Sequence, residues 1–141
     1  MTNDDITQKL ALLPEGLEEK NIKSWENVLR FYKMATSYPS NSWLVPMVDM
    51  IQTVIDSGQN KLFRAGLQLY TLIISVKEEH RLEMGDHHIR VDIDNNKSLT
   101  MWCGTNSNDS ETLTFDCNQI VVELEPFLNK LWNETRGKKS A

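Results

Sequence analysis

Three histidines, His80, His87 and His88, fall within nine positions, with Glu83 and Asp86 between them. Imidazole and carboxylate together can hold zinc. The spacing works against it. His87 and His88 are adjacent at the start of a strand pattern and would face opposite sides, and no i, i+4 histidine pair exists to share a helix face. A solvated connection is the simpler reading. Asp92, Asp94, Asn96 and Ser98 imitate the opening of a calcium loop, but Lys97 stands where glycine is needed and Cys103 where a bidentate glutamate belongs. Neither Cys103 nor Cys117 has a histidine nearby in sequence, and no serine sits in a nucleophile-elbow pattern. Arg64-Ala65-Gly66 lacks both the spacing and the lysine of a phosphate loop. The residues that could do chemistry therefore point to no metal, no cofactor and no catalytic motif.

Trp102 is the sharper candidate. Residues 88–117 alternate in three short segments: Ile89, Val91 and Ile93 with Arg90, Asp92 and Asp94; Leu99, Met101 and Cys103 with Thr100 and Trp102; Leu113, Phe115 and Cys117 with Thr112, Thr114 and Asp116. Side chains on a strand repeat every two residues, so each segment has one apolar and one polar face. Parity puts Trp102 on the polar face with Arg90, Asp92, Thr100, Thr112, Thr114 and Asp116. Tryptophan is enriched among interface hot spots. The competing reading has a helix or the 104–110 loop cover Trp102 in a second small core, since large aromatics are usually well buried. Trp25, Trp43 and Trp132 lie on apolar helical patterns and read as core.

The elements that position this face follow from periodicity. Thr2 is a candidate N-cap for a short helix carrying Ile6, Leu10 and Leu13, broken by Pro14-Glu15-Gly16. A second helix carries Trp25, Val28, Leu29, Tyr32 and Ala35, with Asn21 or Ser24 as cap, and stops before Tyr38-Pro39-Ser40. A third begins near Ser42, presents Leu44, Met47, Val48, Ile51, Val54 and Ile55, holds Pro46 in its first turn and ends at Ser57-Gly58. Leu67–Val76 reads as one well-covered strand because of its β-branched run. After Ile93, a three-residue loop Asp94-Asn95-Asn96 would pair Val91 with Leu99 and Ile89 with Met101, keeping one face dry, whereas a two-residue turn would set apolar against polar. The last helix carries Ile120, Val121, Leu124, Phe127, Leu128, Leu131 and Trp132. Asp116 with Gln119, or Asn118, would cap it, Pro126 would kink or restart it, and Gly137 would stop it.

Composition sets the outer bounds. A chain of 141 residues with no linker or repeat is one domain, helical over roughly 1–60 and sheet plus last helix over roughly 61–137. No apolar run reaches the ~18 residues of a transmembrane helix, and acids stand at the N-terminus where a secretory signal would be basic, so the cytoplasm is the expected compartment. In a hairpin of 99–103 with 111–117 the two cysteines lie at opposite ends, beyond the ~7 Å Cα limit of a disulfide, and read as free thiols. The net charge of −5 argues against a nucleic-acid binder. Between Leu82 and Leu128 nine acids face two bases, a net −7, while the rest of the chain is at +2. Such a field can steer a basic partner, although acidic surfaces also serve plain solubility.

The expected fold is α+β: three N-terminal helices, an antiparallel sheet of about four strands, and a C-terminal helix packed on the sheet's apolar face. The leading functional expectation is a small protein-binding module that meets a basic protein partner through the acidic sheet face. Trp102 would be the anchor, within a surround of Asp92, Asp94, Asp109, Glu111 and Asp116. A bacterial immunity protein or antitoxin would have this size and charge. The alternatives are an enzyme or ligand-binding protein with a pocket between helices and sheet near His80–His88, and a homo-oligomer joined by edge strands.

Overall fold

The computed structural model describes residues 3–76, 87–93, 98–104, 111–116 and 120–135. Its architecture is α+β. Helices α1 (Asn3–Leu10), α2 (Leu17–Thr36) and α3 (Val45–Ser57) precede strands β1 (Arg64–Gln68), β2 (Thr71–Ser75), β3 (His88–Ile93), β4 (Ser98–Gly104) and β5 (Glu111–Asp116), and α4 (Ile120–Glu134) closes the order. Short 3-10 turns at Pro39–Leu44 and Gln59–Lys61 flank α3. The five strands form one antiparallel meander in the order β1-β2-β3-β4-β5. No helix among the described residues is long and apolar enough to cross a membrane.

The helices form because their apolar residues recur at helical spacing, and they bury that stripe against the sheet. Trp25, Val28 and Tyr32 from α2, Met47, Met50, Ile51 and Val54 from α3, and Leu124, Phe127, Leu128, Leu131 and Trp132 from α4 share one core with Leu72, Ile74, Ile89, Val91 and Met101. The rings of Phe63 and Trp132 meet edge to face at 6.2 Å. From α1, Lys9 lies over Trp132 at 5.3 Å. Gly58, at φ 86, ends α3 in the left-handed conformation that its lack of a Cβ permits.

Four local expectations are corrected. α2 starts at Leu17 behind Gly16, so neither Asn21 nor Ser24 caps it. Both face inward from the helix body: Asn21 Nδ2 donates to the Lys61 carbonyl at 2.9 Å, and Ser24 Oγ accepts the Ala65 N–H at 2.9 Å. Leu67–Val76 is not one strand but parts of two, turning at Leu69-Tyr70 with Gln68 opposite Thr71. Leu69 supplies the positive φ of this two-residue turn, at 56°, where Gly, Asn or Asp is the usual choice. The β3–β4 register keeps the expected parity but shifts by two, pairing Val91 with Met101 and Ile89 with Cys103. The shift adds an apolar pair, Ile93 with Leu99, that the tighter loop would have forfeited. Finally, of the kink or restart expected at Pro126, the restart does not occur: α4 is one helix from Ile120 to Glu134. Pro126 is exposed, while buried Leu124, Phe127 and Leu128 on either side hold the helix to the core.

Some expectations fall outside the described residues: the Thr2 cap, the 94–97 connection, Cys117, the caps at Asn118 and Gln119, and the stop at Gly137. Of the last helix's stripe, the side chains of Ile120 and Val121 lie outside as well. On the backbone, Cys103 pairs with Glu111 at one end of β4–β5 and Ser98 with Asp116 at the other, the hairpin from which the cysteines were read as unbridged.

Candidate functional site

The strand registers place the polar face residue by residue. One cross-strand row runs Arg64, Ser75, His88 and Gly104; the next runs Gly66, Ile73, Arg90, Trp102 and Thr112. Asp92, Thr100 and Thr114 form a third row on the same parity. The described apolar residues between them, Ile74, Ile89, Val91 and Met101, belong to the core. On the polar parity burial falls along the strands: Arg64, Ser75 and His88 are buried, Arg90 and Trp102 half-buried, and Asp92 exposed.

Trp102 is half-buried and stands outside the core cluster. Its indole is held by its own sheet neighbours. The Arg90 guanidinium, directly opposite on β3, lies 5.0 Å from the ring centroid, and the His88 ring packs at 4.8 Å and 50°. Arg90 Nε donates to His88 Nε2 at 3.2 Å. A neutral imidazole has one accepting and one donating nitrogen, so this bond assigns the proton of His88 to Nδ1. His88 is wholly buried, Arg90 half-buried. The three side chains thus brace one another: a cation on the π face, a hydrogen bond fixing the guanidinium plane, and an aromatic contact beneath.

Asp92 is exposed and accepts a hydrogen bond from Thr71 Oγ1 across the β2–β3 boundary. Asp116 occupies the register position opposite Ser98, on the parity of Trp102. Glu111 does not share that parity: it stands opposite Cys103, in the register of the apolar face, at the start of β5. Asp94 and Asp109 lie outside the described residues. The structure therefore brings Trp102 and Asp92 onto one face, with Asp116 on the same parity, and separates Glu111 from them.

His88 was missed as a partner of Trp102. The available signal was its i, i+2 relation to Arg90 on one strand. His87, its neighbour, faces the other way, with Nδ1 3.2 Å from Glu134 Oε2 at the end of α4, an ion pair when the imidazole is protonated. His80, Glu83 and Asp86 lie outside the described residues. Among the described residues, no three His, Cys, Asp or Glu side chains gather as a metal site.

A cleft of about 200 Å³ lies between α3 and the N-terminal half of α4. It is set between helices rather than between helices and sheet, and it faces Leu124 and Leu128 rather than the Glu134 end that His87 meets. Neither a protein-family model, nor a curated protein, nor a solved structure matches this chain.

Proposed function

We propose that this protein is a small binding module that engages a basic protein through the polar face of its sheet. The observation that carries the reading is Trp102, half-buried on that face, outside the core, and braced in place by Arg90 and His88. An indole already fixed by its neighbours loses little conformational freedom when a partner covers it, which favours its use as an anchor. Asp92 beside it, with Asp94, Asp109, Glu111 and Asp116 in the same region of net charge −7, supplies the field that draws a basic surface in. Arg90 shields one side of the ring, so the partner's cation is met by the carboxylates while the indole supplies apolar contact. Neutralisation of a basic toxin, as by an immunity protein or antitoxin, is one form of this role that suits the size and charge.

The test is co-purification with the product of the neighbouring gene, comparing wild type with Trp102→Ala/Asp92→Lys. The variant must first show native circular dichroism and an unchanged melting transition. A basic protein retained by wild type, lost from the variant and released as salt rises to about 0.5 M supports the proposal. Equal retention by both chains, or retention indifferent to salt, overturns it.

A further inference from the structure

The turn of the β1–β2 hairpin carries an apolar residue that the fold does not bury. Leu69 is 88% exposed and holds a positive φ of 56°, a conformation that leucine adopts at a cost. Beside it, Tyr70 ties the tip to the helical layer: its ring meets Phe31 of α2 at 5.9 Å and Trp43 of the following 3-10 turn at 6.0 Å. Met34 lies one turn beyond Phe31 on the same side of α2, Tyr38 follows at the helix end, and Val45 opens α3. Of the six large apolar side chains exposed among the described residues, five belong to these segments: Met34, Tyr38, Val45, Leu69 and Tyr70. Exposed apolar side chains scattered singly need no explanation, whereas a group of them marks a surface for contact.

Charge says what kind of contact. The segments that build this surface, residues 27–48 and 64–76, contain no aspartate or glutamate, so all 20 acids of the chain lie outside them. Their charges are basic: Arg30, Lys33 and Arg64. Arg30, one turn before Met34, and Lys33, in the last turn of α2, are exposed, and neither is paired with a carboxylate among the described residues. Glu26 and Asp49 stand just outside the first segment, and Asp92 lies on the polar face of the sheet, where Thr71 donates to it. An end of the molecule that projects leucine, surrounds it with tyrosine and tryptophan, excludes carboxylates and adds free cations has the composition of a bilayer contact. Leucine enters hydrocarbon readily, Tyr and Trp settle at the headgroup level, and carboxylates are among the groups most costly to bring there.

We propose that this end of the protein docks on the surface of an anionic phospholipid bilayer, with Leu69 inserted among the acyl chains, Tyr38, Trp43 and Tyr70 at the headgroups, and Arg30 and Lys33 against lipid phosphates and carboxylates. The attraction of basic side chains to an anionic leaflet sets the orientation, since the acids of the chain lie elsewhere. A protein partner would need a socket matched to the projecting tip, whereas a bilayer accommodates it without one. Insertion also gives the exposed, strained leucine a use that the fold does not. The surface lies on the helical side of the sheet and does not rest on the role of the polar face.

Co-sedimentation of the full chain with vesicles of phosphatidylcholine, alone or mixed with phosphatidylserine, tests the proposal. Wild type should bind the mixed vesicles more tightly than the neutral ones. Leu69→Asn keeps the turn, because asparagine tolerates the left-handed conformation, and should weaken binding to the mixed vesicles roughly tenfold or more by removing the inserted side chain. Its melting transition should be unchanged or raised, so lost binding cannot be ascribed to unfolding. Arg30→Gln should weaken binding to the mixed vesicles about fivefold and leave the neutral ones unaffected. No sedimentation with either vesicle, or undiminished binding by Leu69→Asn, would overturn the proposal. A concentration-dependent dimer that Leu69→Asn abolishes, without vesicle binding by wild type, would overturn it in favour of a second copy of the chain.

Discussion

The Tyr32 hydroxyl donates to the Tyr70 carbonyl at 2.7 Å, from a side chain with no exposed surface. Burial raises its pKa far above the ordinary phenol value, and the nearby Asp92 carboxylate raises it further. The consequence for stability has a definite sign. An acid whose folded pKa is raised contributes fully below its unfolded pKa, about 10 for tyrosine, and loses that contribution as pH climbs toward the folded value. The protein should therefore lose stability progressively above about pH 10. Tyr32→Phe should cost about 1 kcal/mol at pH 7 by removing the hydrogen bond, and should flatten the alkaline loss. Urea midpoints at pH 7 and pH 10.5 check both statements. The same scale governs Trp102, whose neighbours on its face were legible from parity, whereas its bracing by His88 required the actual ring positions.

At the scale of elements, the β1–β2 hairpin departs most from what the chain suggests. Hairpins are usually announced by Asn-Gly or Asp-Gly, and this one turns on Leu69-Tyr70. Leu69 adopts φ 56 and leaves 88% of its surface exposed. The turn is held from outside: Tyr70 packs against Phe31 at 5.9 Å and Trp43 at 6.0 Å, and its carbonyl takes the Tyr32 hydrogen bond. Tertiary contacts thus override a local conformation that costs a β-carbon residue about 1–2 kcal/mol. Leu69→Asn should stabilise the fold by about 0.5–1 kcal/mol, because asparagine tolerates the conformation and no packing is lost. A higher urea midpoint with an unchanged slope would show it. Such a turn cannot be read from turn residues, which is why Leu67–Val76 looks like a single strand.

At the scale of the whole molecule, α2 fastens the helical layer to the edge of the sheet. Ser24 accepts the outward Ala65 N–H, Trp25 Nε1 donates to the Phe63 carbonyl at 2.9 Å, and Asn21 reaches the Lys61 carbonyl. These bonds join residues about forty positions apart and occupy backbone groups leading into β1 and, at Ala65, in the strand itself, where an exposed edge would offer its N–H to another chain. Ser24→Ala should cost about 1–3 kcal/mol, since it strands a buried N–H. Hydrogen exchange at the Ala65 amide should accelerate by more than at β3 amides. An equal acceleration everywhere would mean the bond acts on global stability alone.

The sequence by itself determined the class of fold, the helical stripes and the sidedness of β3 and β4, because burial of apolar surface imposes periods of 3.6 and 2 that no other constraint erases. It also placed Trp102 and Asp92 on one face. Register was beyond it: shifts of two residues preserve parity, so only the competition among cross-strand pairs chose Val91 opposite Met101. Long-range hydrogen bonds were likewise beyond it, because Asn21 and Ser24 look the same in sequence as caps and as inward anchors. Tertiary structure alone decided the turn at Leu69 and the bracing of Trp102. Each arises where distant segments meet, and no local pattern in the chain encodes that meeting.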